Sequence, residues 1–437
     1  MEFLLVGASL SGIKNIKENI DIEFTNKYLK KGDFEYPYIK TIYGPNGAGK
    51  SAIIKAFELY KRIVSSFVKV DDSTFVDELK SYVNLETNTF SISISFATPF
   101  YITEIFTHKL VICFNEFGYP FIQREEFYSR NKRGEIEVFY VLNKGEFEKK
   151  NEQYIKQNLN TNGYILQSLP LATFFVQYVV TKNMLANKHE YKLALPFLLA
   201  SNMKIHFGED SDNYLSNLTH SSLQNIKDLP GFLLNLTSNS TSSNKRNHYF
   251  AVIKSYEKKT FVKYIQKLTA FINIMKPNLK EIHINDKING DLININLTFE
   301  YRNGYKIDYD YESAGVRKLC KLFFAFVDAQ NGRITFIDEI DANIHDVYLE
   351  KIISYFYEYT DCQIIITTHN ARLMSSILTL KKSIDFISLN NKYLPWTKNG
   401  DFSPESRYIK GLIPYIPFNV EASDFIKVFD MEINNDR

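Results

Sequence analysis

Apolar positions along the chain fall into three patterns, and each predicts a different kind of element. Phe90, Ile92, Ile94 and Phe96 alternate with Ser91, Ser93 and Ser95, the period of two that marks a strand with one buried face. Comparable strands are expected at 109–115 and 136–142, making an antiparallel sheet, and shorter ones at 1–7 and 20–24. A second pattern runs through Phe261, Ile265, Leu268, Ile272 and Met275, spaced by fours and threes and stopped by Pro277. That is one face of a helix, too short for a long coiled-coil arm. The third pattern is the alternation of short, apolar-rich strands with helices. Residues 38–43 read as a strand entering a glycine-rich turn, followed by a helix over 51–70 that turns Ile53, Ile54, Phe57, Leu59 and Tyr60 to a core. Strands within 279–311, a helix at 313–330, a buried strand at 333–338, a helix at 346–359 and a strand at 363–368 give the alternation of an α/β fold with a parallel sheet. Between these parts, 145–278 reads as mostly helical, with the Ser/Thr/Asn tract Thr237–Asn244 as an exposed loop.

Composition narrows the class. The chain has 437 residues, 45% hydrophobic and 23% charged, as in an ordinary globular protein of one large domain or two modest ones. A net charge of +2 excludes a whole-molecule basic field for nucleic acid, but not a local patch. Cys113, Cys320 and Cys362 are isolated and odd in number, so neither a disulfide framework nor structural zinc is expected, and a reducing cytoplasm fits. No apolar run is long enough to span a membrane, and the start of the chain lacks the features of a signal peptide.

The chemistry is concentrated in a few motifs. Gly44, Pro45, Asn46, Gly47, Ala48, Gly49, Lys50 and Ser51 fill the pattern G-x-x-x-x-G-K-[ST] between a strand and a helix. A triphosphate needs backbone N–H groups close to its oxygens, which glycines permit, and the helix start adds its positive dipole end. Lys50 is expected on the β and γ phosphates and the Ser51 hydroxyl on Mg²⁺. The strand at 333–338 ends in Asp338 and Glu339, where an open α/β sheet binds ligands. Asp338 is the candidate Mg²⁺ carboxylate and Glu339 the candidate base for the attacking water. Ser313 and Gly315 open a helix and offer a second anion site, best used on the nucleotide of another copy. Asp341 and His345 follow the acidic pair and are candidates for the seam between two heads, while His369 ends a strand within reach of a γ-phosphate.

The order of Gly44–Ser51, Ser313-Ala314-Gly315, Asp338-Glu339, Asp341, His345 and Thr368-His369-Asn370 resembles the ABC ATPase superfamily, and within it the AAA15/AAA21 or overcoming-lysogenization-defect-like (OLD-like) branch. That resemblance implies an ABC-type P-loop ATPase head, a mixed sheet with helices plus an antiparallel β-subdomain, and a mostly helical insertion. Its boundaries would be 1–144, 145–278 and 279–437. It assigns the Walker A loop to 44–51, the signature to Ser313 and Gly315, Walker B to Asp338 and Glu339, the D-loop to Asp341 and the switch histidine to His369. It implies two heads closing head to tail on ATP and Mg²⁺. The signature departs from the transporter pattern, Asp346 stands where proline is frequent, and the Q-loop glutamine is unplaced, with Gln123 and Gln167 as candidates.

About 260 residues separate Ser51 from Ser313, more than a transporter subunit needs and fewer than a chromosome-maintenance ATPase with long arms. Arg407-Tyr408-Ile409-Lys410-Gly411-Leu412-Ile413-Pro414 resembles a late motif of stand-alone phage-defence ATPases, the RloA-like, AbiL-like and PARIS AriA-like proteins. Only 68 residues follow His369, too few for a fused Toprim nuclease. The resemblance therefore implies an ATP-hydrolysing sensor or scaffold, a dimer or larger homo-oligomer, that controls a separate nuclease or toxin from the same operon in abortive infection. DNA or a phage protein is a further candidate partner, and no membrane is involved. The alternative is a RecF-like repair ATPase. Its support is the run Lys245, Arg246, Lys254, Lys258, Lys259, Lys263 and Lys267 with Tyr249, Phe250, Tyr256 and Tyr264, which reads equally as the solvated face of a helix.

Overall fold

Strands covered on both faces cannot alternate, and those of the central sheet do not: all four residues of Ile334–Ile337 and all five of Gln363–Thr367 are buried. The computed structural model describes residues 1–26, 29–65, 73–155, 171, 173–176, 190–207, 250–377, 382–397 and 402–416. In chain order the first elements are β1 (Leu4–Ser11), β2 (Ile20–Glu23), β3 (Tyr38–Tyr43), α1 (Lys50–Ser65) and α2 (Ser73–Tyr82). Then come β4 (Thr89–Ala97), β5 (Glu104–Phe114), β6 (Pro120–Asn131), β7 (Ile136–Asn143) and β8 (Glu146–Lys150). The middle supplies α3 (Glu190–Leu193), α4 (Leu195–Asn202), β9 (Met203–His206), β10 (Ala251–Lys254) and α5 (Lys258–Met275). β11 (Leu279–Asn289), β12 (Leu292–Tyr301), β13 (Lys306–Asp308), α6 (Ala314–Gln330), β14 (Ile334–Ile337) and α7 (Asp346–Tyr359) follow. The chain continues through β15 (Gln363–Thr367), α8 (Leu373–Ile377), β16 (Ile384–Ile387), β17 (Tyr393–Pro395) and α9 (Pro404–Ile409).

The fold is mixed α/β, built from three sheets. Six strands in the order β17-β16-β3-β15-β14-β9 form the central sheet, parallel except for the edge strand β17. Seven antiparallel strands in the order β2-β1-β4-β5-β6-β7-β8 form the second, and β10, β11, β12 and β13 the third. Helix α1 lies between the first two. Its Ile53, Phe57 and Tyr60 share one apolar cluster with Phe336 and Ile365 of the central sheet and with Phe90, Ile92 and Phe127 of the antiparallel one. On the opposite face of the central sheet, Ile337, Ile364 and Ile366 pack against Phe326 of α6, Ile353 of α7 and Met374 of α8. The other side of α6 packs with α5 against the third sheet, as Phe323, Phe324, Ile265, Leu268 and Phe299.

Three polar devices tie these layers. The buried Gln363 side chain accepts from Leu5 N–H at 2.7 Å and donates to Leu5 C=O at 3.0 Å, joining β15 to β1. A buried chain runs from α1 into the antiparallel sheet: Tyr60 Oη lies 2.9 Å from His108 Nδ1, and His108 Nε2 lies 3.1 Å from Glu125 Oε1. Glu125 also accepts from the Tyr140 hydroxyl at 2.9 Å and the Phe174 N–H at 2.8 Å. Burial pushes both phenols well above their ordinary pKa. The third device is Lys40 on β3, paired in the core with Asp385 on β16, whose second donor is the Tyr393 hydroxyl at 2.5 Å. Burial draws the two pKa values toward neutrality from opposite sides, lowering that of Lys40 and raising that of Asp385.

Several expectations change. β1 runs over Leu4–Ser11 rather than 1–7, and α1 over Lys50–Ser65, with 66–70 outside the described residues. β6 and β9 were not anticipated. β8 pairs with β7 across residue 144, and β9, from within 145–278, is an edge strand of the central sheet. α5 packs with α6 against the third sheet, in an apolar cluster that includes Phe261, Leu268, Phe299 and Phe323. The tract Thr237–Asn244, Lys245, Arg246, Tyr249 and Gln167 lie outside the described residues.

Truncating one member of a buried ion pair strands the other. Asp385→Ala should cost about 3–5 kcal/mol in urea unfolding, and the double change Lys40→Met with Asp385→Leu should recover most of it. Equal stability of the single and double variants would show that the pair carries no such penalty.

Candidate nucleotide-binding site

The loop 44–49 leaves the end of β3 and enters α1. Gly49 sits at φ +110°, a backbone that side chains rarely adopt, and a Cβ there would press on Ile16 and the Asn15 side chain at 3.1–3.3 Å. The turn Asn15-Ile16 is thus laid directly on the loop. Asn15 Nδ2 donates to Gly47 C=O at 2.8 Å and to Asn391 Oδ1 at 3.0 Å, and Asn391 Nδ2 donates back to Asn15 C=O at 2.6 Å. Below the loop, Tyr408 of α9 packs against Tyr43 and Phe386 and hydrogen-bonds the Gly44 backbone; burial pushes its phenol up to about 12. The late motif therefore supports the phosphate loop. Neither Asn15 nor Asn391 was visible as a site residue, because a pair 376 positions apart leaves no local pattern.

Lys50 is 6% exposed, and its ammonium donates to the carbonyls of Gly44 at 2.8 Å and Pro45 at 3.1 Å. Burial holds its pKa below the usual value, opposed by the charges of Asp338, Glu339 and Asp341. Those carboxylates, nearly 300 positions away, thus stand in the field of the loop lysine. Ser51 is half-buried on the first turn of α1, and Pro45 is half-buried while Asn46 and Gly47 are exposed and Ala48 is buried.

β14 delivers Asp338 and Glu339 to its carboxyl end. The Thr367 hydroxyl on neighbouring β15 donates to Asp338 and accepts from the Glu339 N–H at 2.9 Å. On the other flank Asp338 N–H donates to the His206 carbonyl of β9 at 2.9 Å. Glu339 adopts φ +47°, a left-handed conformation that costs of order 1–3 kcal/mol in a residue with a Cβ. Its carbonyl accepts from Lys318 Nζ at 2.9 Å. Asp341 accepts from the Thr368 hydroxyl at 2.7 Å and the His369 N–H at 3.3 Å. His369 is exposed, and its pKa is lowered by partial burial and then by nearby Lys50. Lys14, also unanticipated, has φ +48° and a pKa lowered by burial against the pull of Asp338, so a further cation faces the same carboxylate.

The remaining candidates sit apart from the loop. Ser313 caps α6, its hydroxyl accepting from Val316 N–H at 3.4 Å. Gly315 packs against the Asp341 loop, since a Cβ would lie 3.2 Å from Asn343 C=O. His345 caps α7 through Nδ1 and Val347 N–H at 3.3 Å. Gln123 lies on β6 and accepts from Cys113 Sγ at 2.6 Å. Among the described residues no group of three or more His, Cys, Asp or Glu is placed to hold a metal, and no helix is long and apolar enough to cross a membrane. The oxygen set present, one hydroxyl and one buried carboxylate beside a phosphate loop, suits a hard divalent cation that keeps its waters and substrate phosphates.

Residues 41–375 match the family described as "AAA domain, putative AbiEii toxin, Type IV TA system". The chain belongs to this family. No curated protein matches it. Among solved structures, this AAA-domain chain is similar to the Smc head domain with an extended coiled coil bound to the C-terminal domain of ScpA from Pyrococcus furiosus, at 13% identity over 90% of this chain and 96% of that one, TM-score 0.41. The SMC head domain from Thermotoga maritima gives 12% identity, 91% and 99% coverage and a TM-score of 0.33. The recombination mediator protein RecF with ATP gives 11%, 91%, 98% and 0.37. None of these likenesses says what the AAA-domain chain acts on.

Thr367→Val removes the donor to a buried carboxylate and the acceptor of a strained peptide together. It should lower stability by about 1–3 kcal/mol in chemical denaturation; an unchanged midpoint would mean that the hydroxyl does not hold the acidic strand end.

Proposed function

We propose that the chain binds and hydrolyses ATP as an ABC-type ATPase, two copies closing head to tail around two nucleotides. The reading is carried by one observation: Lys50 of the phosphate loop lies in the combined field of Asp338, Glu339 and Asp341. Loop N–H groups and Lys50 would bind the β and γ phosphates, with Lys50 exchanging its present carbonyl partners for phosphate oxygen. Mg²⁺, held by Ser51 and Asp338, would neutralise charge on the phosphates. Glu339 would take a proton from the attacking water, and His369, held through its N–H by Asp341, would contact the γ-phosphate. Ser313 and Gly315 would offer the α6 N-terminus to the nucleotide of the second copy.

Around that activity we place a sensor or scaffold in phage defence that holds or releases a separate toxin or nuclease. What supports this reading is the family description, which names a putative toxin of a type IV toxin–antitoxin system, together with the resemblance of residues 407–414 to the late motif. The RecF-like alternative draws on Lys259, Lys263 and Lys267, exposed along α5, but Lys258 is paired with Asp286 at 2.6 Å and Tyr264 packs into the core.

Lys50→Ala should abolish binding of a fluorescent ATP analogue. Glu339→Gln should bind it normally, lose about a hundredfold or more in turnover and accumulate as a closed dimer; normal hydrolysis by this variant would refute the assignment of Glu339. The Glu339→Gln complex, isolated from its host with ATP, should carry a second protein in stoichiometric amount. A bare dimer carrying DNA would favour the repair reading instead.

A further inference from the structure

Lys318 has no part in the scheme above, yet it joins the signature-type helix to the acidic strand end of the same chain. It is 6% exposed and spends its ammonium on the Glu339 carbonyl at 2.9 Å. Burial and Lys321 hold its pKa down, while Asp341, Glu339 and Asp338 oppose them. Glu339 is thereby pinned on both sides: its N–H by Thr367, its C=O by Lys318, with a left-handed φ of +47° between. A residue in that conformation persists only where its surroundings over-determine it. Glu339 itself is exposed just past the end of β14, on a backbone that these two bonds hold.

The same helix is capped by Ser313 and packs closely on the Asp341 loop, where a Cβ on Gly315 would lie 3.2 Å from Asn343 C=O. α6 is a continuous helix from Ala314 to Gln330, so a shift at its N-terminus is carried to Lys318 within little more than one turn. We propose that Lys318 is a positioning residue for Glu339, and that through it each head's own hydrolytic carboxylate responds to the state of its signature helix, which the second copy's nucleotide engages. The inference rests on the two-headed ATPase reading.

A lysine that merely supports α6 would, when lost, damage the surface offered to the second copy. A lysine that positions Glu339 would damage hydrolysis within its own head. Lys318→Met keeps the buried stem and removes the donor and charge. It is expected to bind a fluorescent ATP analogue with unchanged Kd and to form, by light scattering, the same ATP-dependent dimer expected of Glu339→Gln. Its kcat should fall roughly tenfold or more, and Lys318→Arg should restore a large part of it. Should the Met form not fold, Lys318→Gln, which still donates but carries no charge, is read by the same criteria. Wild-type kcat in the neutral variant, or loss of the ATP-dependent dimer as expected of Ser313→Arg, would overturn the proposal. Absence of ATP hydrolysis by the wild-type chain would instead overturn the ATPase reading beneath it.

Discussion

The Thr367 hydroxyl gives its proton to Asp338 and receives the Glu339 N–H, and the geometry of the acidic strand end depends on that double use. A parallel sheet buried on both faces can present charge only at the ends of its strands. β14 and β15 are buried along their length and pair in parallel, so the Thr367 hydroxyl at the end of one is in register to organise the carboxylates that follow the other. The phosphate loop leaves β3 at the same edge, next to β15. Loop, acid and hydroxyl are brought together by strand order.

That edge is held rigid from beneath. α1 is enclosed between two sheets, and two polar clusters buried in these layers are matched from within. Tyr60, His108, Glu125 and Tyr140 satisfy one another, and Lys40 finds Asp385 and through it Tyr393. An unmatched group at any of these points would cost far more than a matched one gains. Tyr408 and Asn15 extend the same logic to the loop itself, fixing its backbone from below and from the side.

Parts of this were legible from residues alone because their physics is local. A phosphate loop needs glycines at fixed offsets after a strand, and a doubly buried strand is rich in β-branched and apolar residues, so Gly44–Ser51, β3 and β14 stood out. β6 was hidden because Arg124-Glu125-Glu126 interrupts its alternation, and the inward Glu125 is made tolerable by His108, Tyr140 and the N–H of Phe174, 49 positions on. β9 has four residues and no pattern of its own; pairing with β14 makes it a strand. The same holds for Lys318. On a helix its position reads as one more cation, and only the packing of α6 against the acidic loop brings it to Glu339.

The bond pair between Gln363 and Leu5 spans 358 positions, and the central sheet interleaves strands from residues 38, 203, 334, 363 and 384 onward. Its parallel neighbours are therefore nearly all distant along the chain. Loop closure of this kind must be completed before contacts reward it, which makes such topologies slow to fold and exposes apolar strands meanwhile. On the ribosome, β1 and β3 emerge hundreds of residues before Gln363, so the antiparallel sheet can form early while the parallel sheet waits for β14, β15 and β16. A chain ended between Glu339 and Gln363 would carry both the loop 44–51 and the acidic pair, yet lack β15, the strand that seats β14 beside β3.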